Sequence, residues 1–183
     1  MSAPPFSEAA TPHPAQILFS MQQALRAAQP PLPAEKAVAP RWRGLAFQAG
    51  NALLVSELAA VSDVVEGVAP TRLPGVRPWL RGVANVRGAV YAIVDLAALW
   101  GMTPVENPAQ GFLLILADRK LQSALLVTKV FGLRHFDLRA APAATAPPPR
   151  PYCKRQLHAA EGDYWLLDVV SLAADPEFRR VAA

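Results

Sequence analysis

The side chains able to do chemistry in this 183-residue chain are few and scattered. His13, His135 and His158 stand far apart, and none is spaced i, i+4 from another ligand type, so no metal constellation is legible. His135 falls in the strand-like run Val130–Phe136 and reads as a strand residue rather than a base. Ser56 and Ser123 lack the glycines of a nucleophile elbow. There is no phosphate loop and no G-x-G-x-x-G. The one cysteine, Cys153, excludes an internal disulfide and a multi-cysteine metal site. Lys154 and Arg155 would lower its pKa if the thiol were exposed; otherwise it is an incidental thiol. Asp95 and Asp168 each end an apolar strand. They could be a carboxylate pair, but each precedes a short apolar segment and reads more simply as a helix N-cap, accepting first-turn N–H groups that lack partners. No catalytic residue, metal or cofactor is expected.

What remains is binding chemistry, concentrated in residues 73–96. After Pro74 come Trp79, Gly82, Asn85, then Arg87 between Val86 and Gly88, then an apolar strand. A turn carrying a single Arg fixes one cation on an apolar ledge, and only Arg offers a planar fork of donors for carboxylates or carbonyls. The bland alternative is an internal Arg–Asp pair bracing the fold. Asn85 is placed to satisfy backbone groups of the tight turn. Trp79 is either a core plug or an exposed anchor of the kind that dominates interfaces. The net charge is +4, and no acid lies between Glu66 and Asp95, where Arg72, Arg77, Arg81 and Arg87 fall. Such a surface could attract an acidic protein face, lipid or nucleic acid. No aromatic stacking strand accompanies the arginines, so a small nucleic-acid-binding barrel is the lesser alternative and no nucleic-acid partner is expected.

The elements that position these residues follow from pattern. Hydrophobic residues make up 52% of the chain, enough for a sizeable core in one domain. No uninterrupted apolar run exceeds Phe112–Ala117, well short of the ~20 residues a membrane helix needs. With no secretory signal pattern at the N-terminus, a cytoplasmic protein is expected. Residues 1–40 hold eight prolines and read as an extended, mobile extension, with one short helix near 15–28 where Leu18, Met21 and Leu25 recur at helical spacing. Residues 140–151 form a Pro/Ala linker within the domain at 41–178, and 179–183 form a tail.

Inside the domain the chain repeats itself weakly. Ala52–Leu58 resembles Ala124–Val130 at an offset of 72, and Tyr91–Leu96 resembles Tyr164–Val169 at an offset of 73. Two similar offsets predict two similar halves. Each half opens with a strand pair: Leu45–Ala49 with Ala52–Glu57, then Phe112–Asp118 with Leu121–Thr128. Each closes with a strand that stops at Asp, before Leu96–Trp100 or Val169–Ala174. Short strands joined by Gly and Pro turns favour small closed barrels, so the fold class is all-β with short helices.

The run of Pro74, Gly82, Asn85, Arg87, Gly88 and Ile93-Val94-Asp95-Leu96 resembles the signature of CheW-like adaptor domains of bacterial chemotaxis, over roughly residues 42–178. Leu73-Pro74-Gly75-Val76 and Val130-Phe131-Gly132…His135-Phe136 extend the resemblance to PilI-type adaptors of twitching-motility signalling. The resemblance implies two side-by-side five-stranded SH3-like β-barrels that exchange strands between the halves. It implies a non-enzymatic scaffold coupling a methyl-accepting chemoreceptor (PilJ-like) to a CheA-like histidine kinase, controlling type IV pilus twitching, with no small-molecule substrate. Val61, Asp63 and Arg87 would contact the receptor tip at a groove between the barrels. Val65 and Val68 are the first choices for kinase contact, on the first barrel's strand edges. Membrane association would be indirect, through recruitment by the receptor to the cell pole or inner membrane.

Overall fold

The computed structural model describes residues 41–118, 120–137, 148–159 and 162–180. The expected extension at 1–40 with its helix, residues 140–147 of the linker and residues 181–183 of the tail lie outside the described residues. Ten strands follow in chain order: β1 Arg41–Ala49, β2 Ala52–Glu57, β3 Val61–Glu66, β4 Leu80–Val86, β5 Ala89–Asp95, β6 Phe112–Leu116, β7 Ser123–Val127, β8 Lys129–Asp137, β9 Cys153–Ala159 and β10 Gly162–Leu167. Three short helices accompany them: α1 Leu96–Leu99, α2 Val169–Ala174 and α3 Pro176–Arg179.

The strands make two five-stranded sheets, as the all-β reading anticipates. Sheet I runs β8-β1-β2-β10-β9 and sheet II runs β3-β6-β7-β5-β4. Replacing each strand of the first half by its counterpart in the second turns one order into the other. Each sheet therefore takes two strands from one half and three from the other, so the opening hairpins are exchanged. The single parallel pairing in each sheet, β2 with β10 and β5 with β7, falls where the two contributions meet. Sheet I curls until its edge strands β8 and β9 come close to one another.

Exchange explains the apolar runs. Along β1, Leu45, Phe47 and Ala49 join the largest core cluster, while Ala46 joins the interior of sheet I with Val55, Phe136, Leu157 and Tyr164. Along β6, Leu114 and Leu116 face the same large cluster, while Leu113 and Ile115 face the interior of sheet II. The exchanged strands are thus buried on both faces, which is why β6 and β7 read as continuous hydrophobic runs rather than alternating ones. The large cluster between the barrels also takes Trp79, which is buried and stacks on Phe178 with ring centroids 6.5 Å apart. Of the two readings of Trp79, burial supports the core plug. Its counterpart 73 residues on, Tyr152, packs on Trp100 and accepts the Trp100 Nε1–H at 2.7 Å.

The segment before β4 folds back over that strand. Thr71 N–H donates to the Val83 carbonyl at 2.7 Å and Val83 N–H to the Thr71 carbonyl at 2.9 Å, beside Gly82. Gly82 has φ +127°, and a Cβ there would lie 2.0 Å from the Thr71 carbonyl oxygen. Only glycine permits so close a backbone approach. Gly82→Ala is expected to cost about 1–3 kcal/mol from backbone strain alone, with the clash in addition. Denaturant unfolding measures this, and a stability equal to the parent would contradict the packing of residues 69–73 on β4.

Candidate functional site

Arg87 and Gly88 are the two central residues of the β4–β5 hairpin turn, closed by the Val86–Ala89 pair. Both have positive φ, +52° and +86°, as a two-residue turn of the I′ kind requires. A non-glycine residue there carries strain, and the Asn85 side chain offsets it by accepting the Gly88 N–H at 2.9 Å. The turn thus presents Arg87 with a side chain 76% exposed.

Arg87 is not alone. Its Nη1 lies 2.6 Å from Asp63 Oδ2, and Asp63 Oδ1 accepts the Val64 N–H at 2.9 Å. Asp63 sits on β3 and Arg87 at the end of β4, the two edge strands of sheet II, so the ion pair spans the open seam of that barrel. An exposed pair of this kind contributes about 0–1 kcal/mol, too little to brace a barrel. Val61 is half-buried against the central cluster. A cavity of about 360 Å³ is lined by Ser62, Ala89, Tyr91, Leu116, Ala117 and Gln122, and by none of Val61, Asp63 or Arg87. A cavity of about 820 Å³ between the β1–β2 turn and loop 101–111 is likewise lined by none of Val61, Asp63 or Arg87. It has Glu106 as its sole acidic or basic lining residue.

Alternation along β3 puts Val61, Asp63 and Val65 on its half-buried side and Ser62, Val64 and Glu66 outward. Val65 and Val68 lean on the sheet II interior. The residues the sequence reading passed over are Val64 and Val90, 39% and 54% exposed, which adjoin Asp63 and the Arg87 hairpin in the chain. The signal that could have found Val64 is its parity with Ser62 rather than with Val61. Pro74 is exposed at the turn before β4.

Arg77, Arg81 and Arg87 each have an interaction partner. Arg87 pairs with Asp63, and Arg81 donates to the Val105 carbonyl at 2.8 Å with its Nε 3.9 Å from Asp95 Oδ2. The uncommitted basic face that a nucleic-acid reading needs is reduced accordingly. Asp95 is fully buried and caps α1, its Oδ1 accepting the Ala98 N–H at 3.1 Å and its Oδ2 the Val105 N–H at 2.9 Å. Its own N–H donates to the Trp79 carbonyl. Asp168 repeats this one half later: it accepts the Ser171 N–H at 3.0 Å and the Ser171 hydroxyl at 2.8 Å, pairs with Lys154, and donates its N–H to the Tyr152 carbonyl. Lys154, with help from Ser171 and against partial burial, holds the Asp168 carboxyl down at about 2. Both aspartates hold helix starts rather than face one another.

Burial pushes the Cys153 thiol up to about 11, so the flanking cations do not make it reactive. His135 is exposed on β8 opposite Arg43, His158 lies 2.5 Å from Asp163 across the β9–β10 hairpin, and His13 lies outside the described residues. Among the described residues no three His, Cys, Asp or Glu cluster as a metal site, and no helix is long and apolar enough to cross a membrane.

The profile of the CheW-like domain matches residues 43–177, and the chain belongs to that family. Protein PilI of Pseudomonas aeruginosa is 33% identical over 125 residues, covering 68% of this chain and 70% of the relative. The probable chemotaxis protein CheW of Rhizobium etli is 31% identical over 86 residues, covering 47% of this chain and 56% of the relative. The crystal structure of scaffolding protein TtCheW from Thermoanaerobacter tengcongensis shares the fold, with a TM-score of 0.59 at 16% identity, over 70% of this chain and 89% of that one.

Asp95→Ala strands the Ala98 and Val105 N–H groups and leaves Arg81 without its carboxylate. We expect a loss of about 2 kcal/mol or more, against about 1 kcal/mol for Asp168→Ala, whose partners reach water. Equal losses in denaturant melts would contradict the difference in burial. The depressed Asp168 pKa contributes stability that is present above the ordinary value of 3.8 and lost as pH falls through about 2. In Lys154→Ala that acid loss shrinks, because the carboxyl returns toward its ordinary range. An unchanged Asp168 titration followed by NMR in this variant would refute the assignment of cause.

Proposed function

We propose that the protein is a non-enzymatic cytoplasmic adaptor that couples a methyl-accepting chemoreceptor (PilJ-like) to a CheA-like histidine kinase, in signalling that controls type IV pilus twitching. The observation that carries the reading is Arg87, exposed on a rigid turn and steered by Asp63 across the sheet II seam. Asp63 engages one arm of the guanidinium, which has five N–H donors in all and so retains others for carbonyls or carboxylates on a receptor helix. Family membership and the similarity to a protein named PilI support the choice of partners. The receptor would bring the adaptor to the pole or the inner membrane.

Kinase docking belongs at β3. It is an edge strand of sheet II, and Val64 is exposed on its outward face, while the Val64 N–H is held by Asp63 Oδ1. The other edge, β4, is partly covered by Thr71. Since Val65 and Val68 lean inward, the blocking substitution belongs at Val64.

Arg87→Glu should leave stability within about 1 kcal/mol of the parent, since it removes only an exposed pair. It should abolish receptor pull-down while kinase pull-down persists. Val64→Glu should do the reverse. Receptor binding that survives Arg87→Glu, in a protein that melts normally, would overturn the reading.

A further inference from the structure

In the first half of the repeat, Arg81 and Asp95 together hold one residue of loop 101–107. Asp95 Oδ2 accepts the Val105 N–H at 2.9 Å, and Arg81 Nη2 donates to the Val105 carbonyl at 2.8 Å. Both backbone groups of a single residue are gripped, as a neighbouring strand would grip them, and the Val105 side chain rests on the sheet II interior. With this occupant in place, the Arg81 and Asp95 side chains are 18% and 0% exposed.

Lys154 and Asp168 stand 73 residues further on from Arg81 and Asp95, and they pair in the same way. Lys154 is on β9 where Arg81 is on β4, and Asp168 caps α2 where Asp95 caps α1. Among the described residues, none returns over this second pair as loop 101–107 does over the first. After α2 the chain turns at Asp175 into α3, and Phe178 goes to stack on Trp79. Lys154 and Asp168 are accordingly 58% and 23% exposed. They line a cavity of about 360 Å³ with Glu57, Ala60, Leu166 and Val170. Val170 is 79% exposed, more than any other large hydrophobic among the described residues.

We propose that this cavity is a docking site for an extended peptide segment of a partner protein, gripped as Val105 is gripped in the first half. Lys154 donates to a backbone carbonyl, Asp168 accepts the N–H of the same residue, and that residue's apolar side chain covers Val170. The ammonium has three donors, of which Asp168 takes one. The Ser171 hydroxyl, at the position of Ala98 in the first half, occupies Asp168 Oδ2 in the free protein and can rotate aside. A helix is excluded as occupant because its interior N–H and carbonyl groups already bond each other. The occupant is therefore strand-like, and recognition is mainly through its backbone. The site belongs to sheet I, whereas Arg87 belongs to sheet II, so the proposal stands or falls independently of receptor binding at Arg87.

The test uses the chain's own gripped segment as probe. An acetylated, amidated peptide Met102–Pro108 is titrated into the isotope-labelled full-length protein and followed by two-dimensional NMR. Saturable shifts are expected at Lys154 and Leu166–Ser171, with a dissociation constant in the millimolar range, and they should persist in Arg87→Glu. Val170→Glu, which alters an exposed side chain, should keep the parent melting temperature and weaken binding at least about tenfold. A peptide N-methylated at Val105, which has no N–H to offer Asp168, should likewise fail to bind. Shifts that do not saturate, that fall elsewhere, or that are unchanged with the N-methylated peptide would overturn the proposal.

Discussion

The exchange of opening hairpins between the two halves is the constraint on which the rest of the structure depends. Because β1 and β2 complete the barrel of the second half, and β6 and β7 that of the first, neither half has a full sheet from its own strands. The four exchanged strands then lie back to back, and their outer faces make the largest apolar cluster, with Phe47, Leu54, Leu114 and Leu125 among its members. Two aromatic pairs close that cluster: Trp79 on Phe178, and Trp100 on Tyr152. The hydrogen bond between Trp100 and Tyr152 satisfies two polar groups inside the core, and burial there pushes the Tyr152 hydroxyl up to about 12. One buried hydroxyl, that of Ser56, has no partner among the described residues, and the structure offers no explanation for it.

On this frame the two capping aspartates do local work beneath the two proposed binding surfaces. Asp95 ties α1, loop 101–107, β4 and the Trp79 backbone together, which fixes the base of the hairpin whose tip carries Arg87. Stiffness matters here because an adaptor gains affinity by presenting groups already in place rather than ordering them on contact. Asp63 adds little stability across the seam, but it orients the guanidinium. Asp168 repeats the scaffold of Asp95 without the covering loop. The same local geometry is therefore closed in one half and open in the other.

Much of this was legible in the sequence for identifiable reasons. The offset of 73 between Asp95 and Asp168 marked the repeat because a strand ending in an N-cap leaves the same residue types wherever it occurs. The turn at Arg87-Gly88 was legible because glycine follows a residue flanked by strand formers. Three features were not legible from the residue pattern, although the family resemblance implied the first of them. Hairpin exchange leaves no trace in periodicity, since the exchanged strands are apolar on both faces and alternation is lost. The outward direction of Val64 was hidden because apolar residues occupy both parities of β3. The internal role of Arg81 was hidden because its acceptor, the Val105 carbonyl, carries no side-chain signal.

The central claim is that exchange makes the two barrels one cooperative unit that holds Arg87 in place. Native-state hydrogen exchange measures this directly, through the opening free energies of slowly exchanging amides in each sheet. The account predicts that core amides of sheet I, such as those of Leu54 and Leu166, and of sheet II, such as those of Leu114 and Leu125, share one opening free energy equal to that of global unfolding. A sheet whose core amides exchange through a separate opening of markedly lower free energy, while the other stays protected, would contradict it.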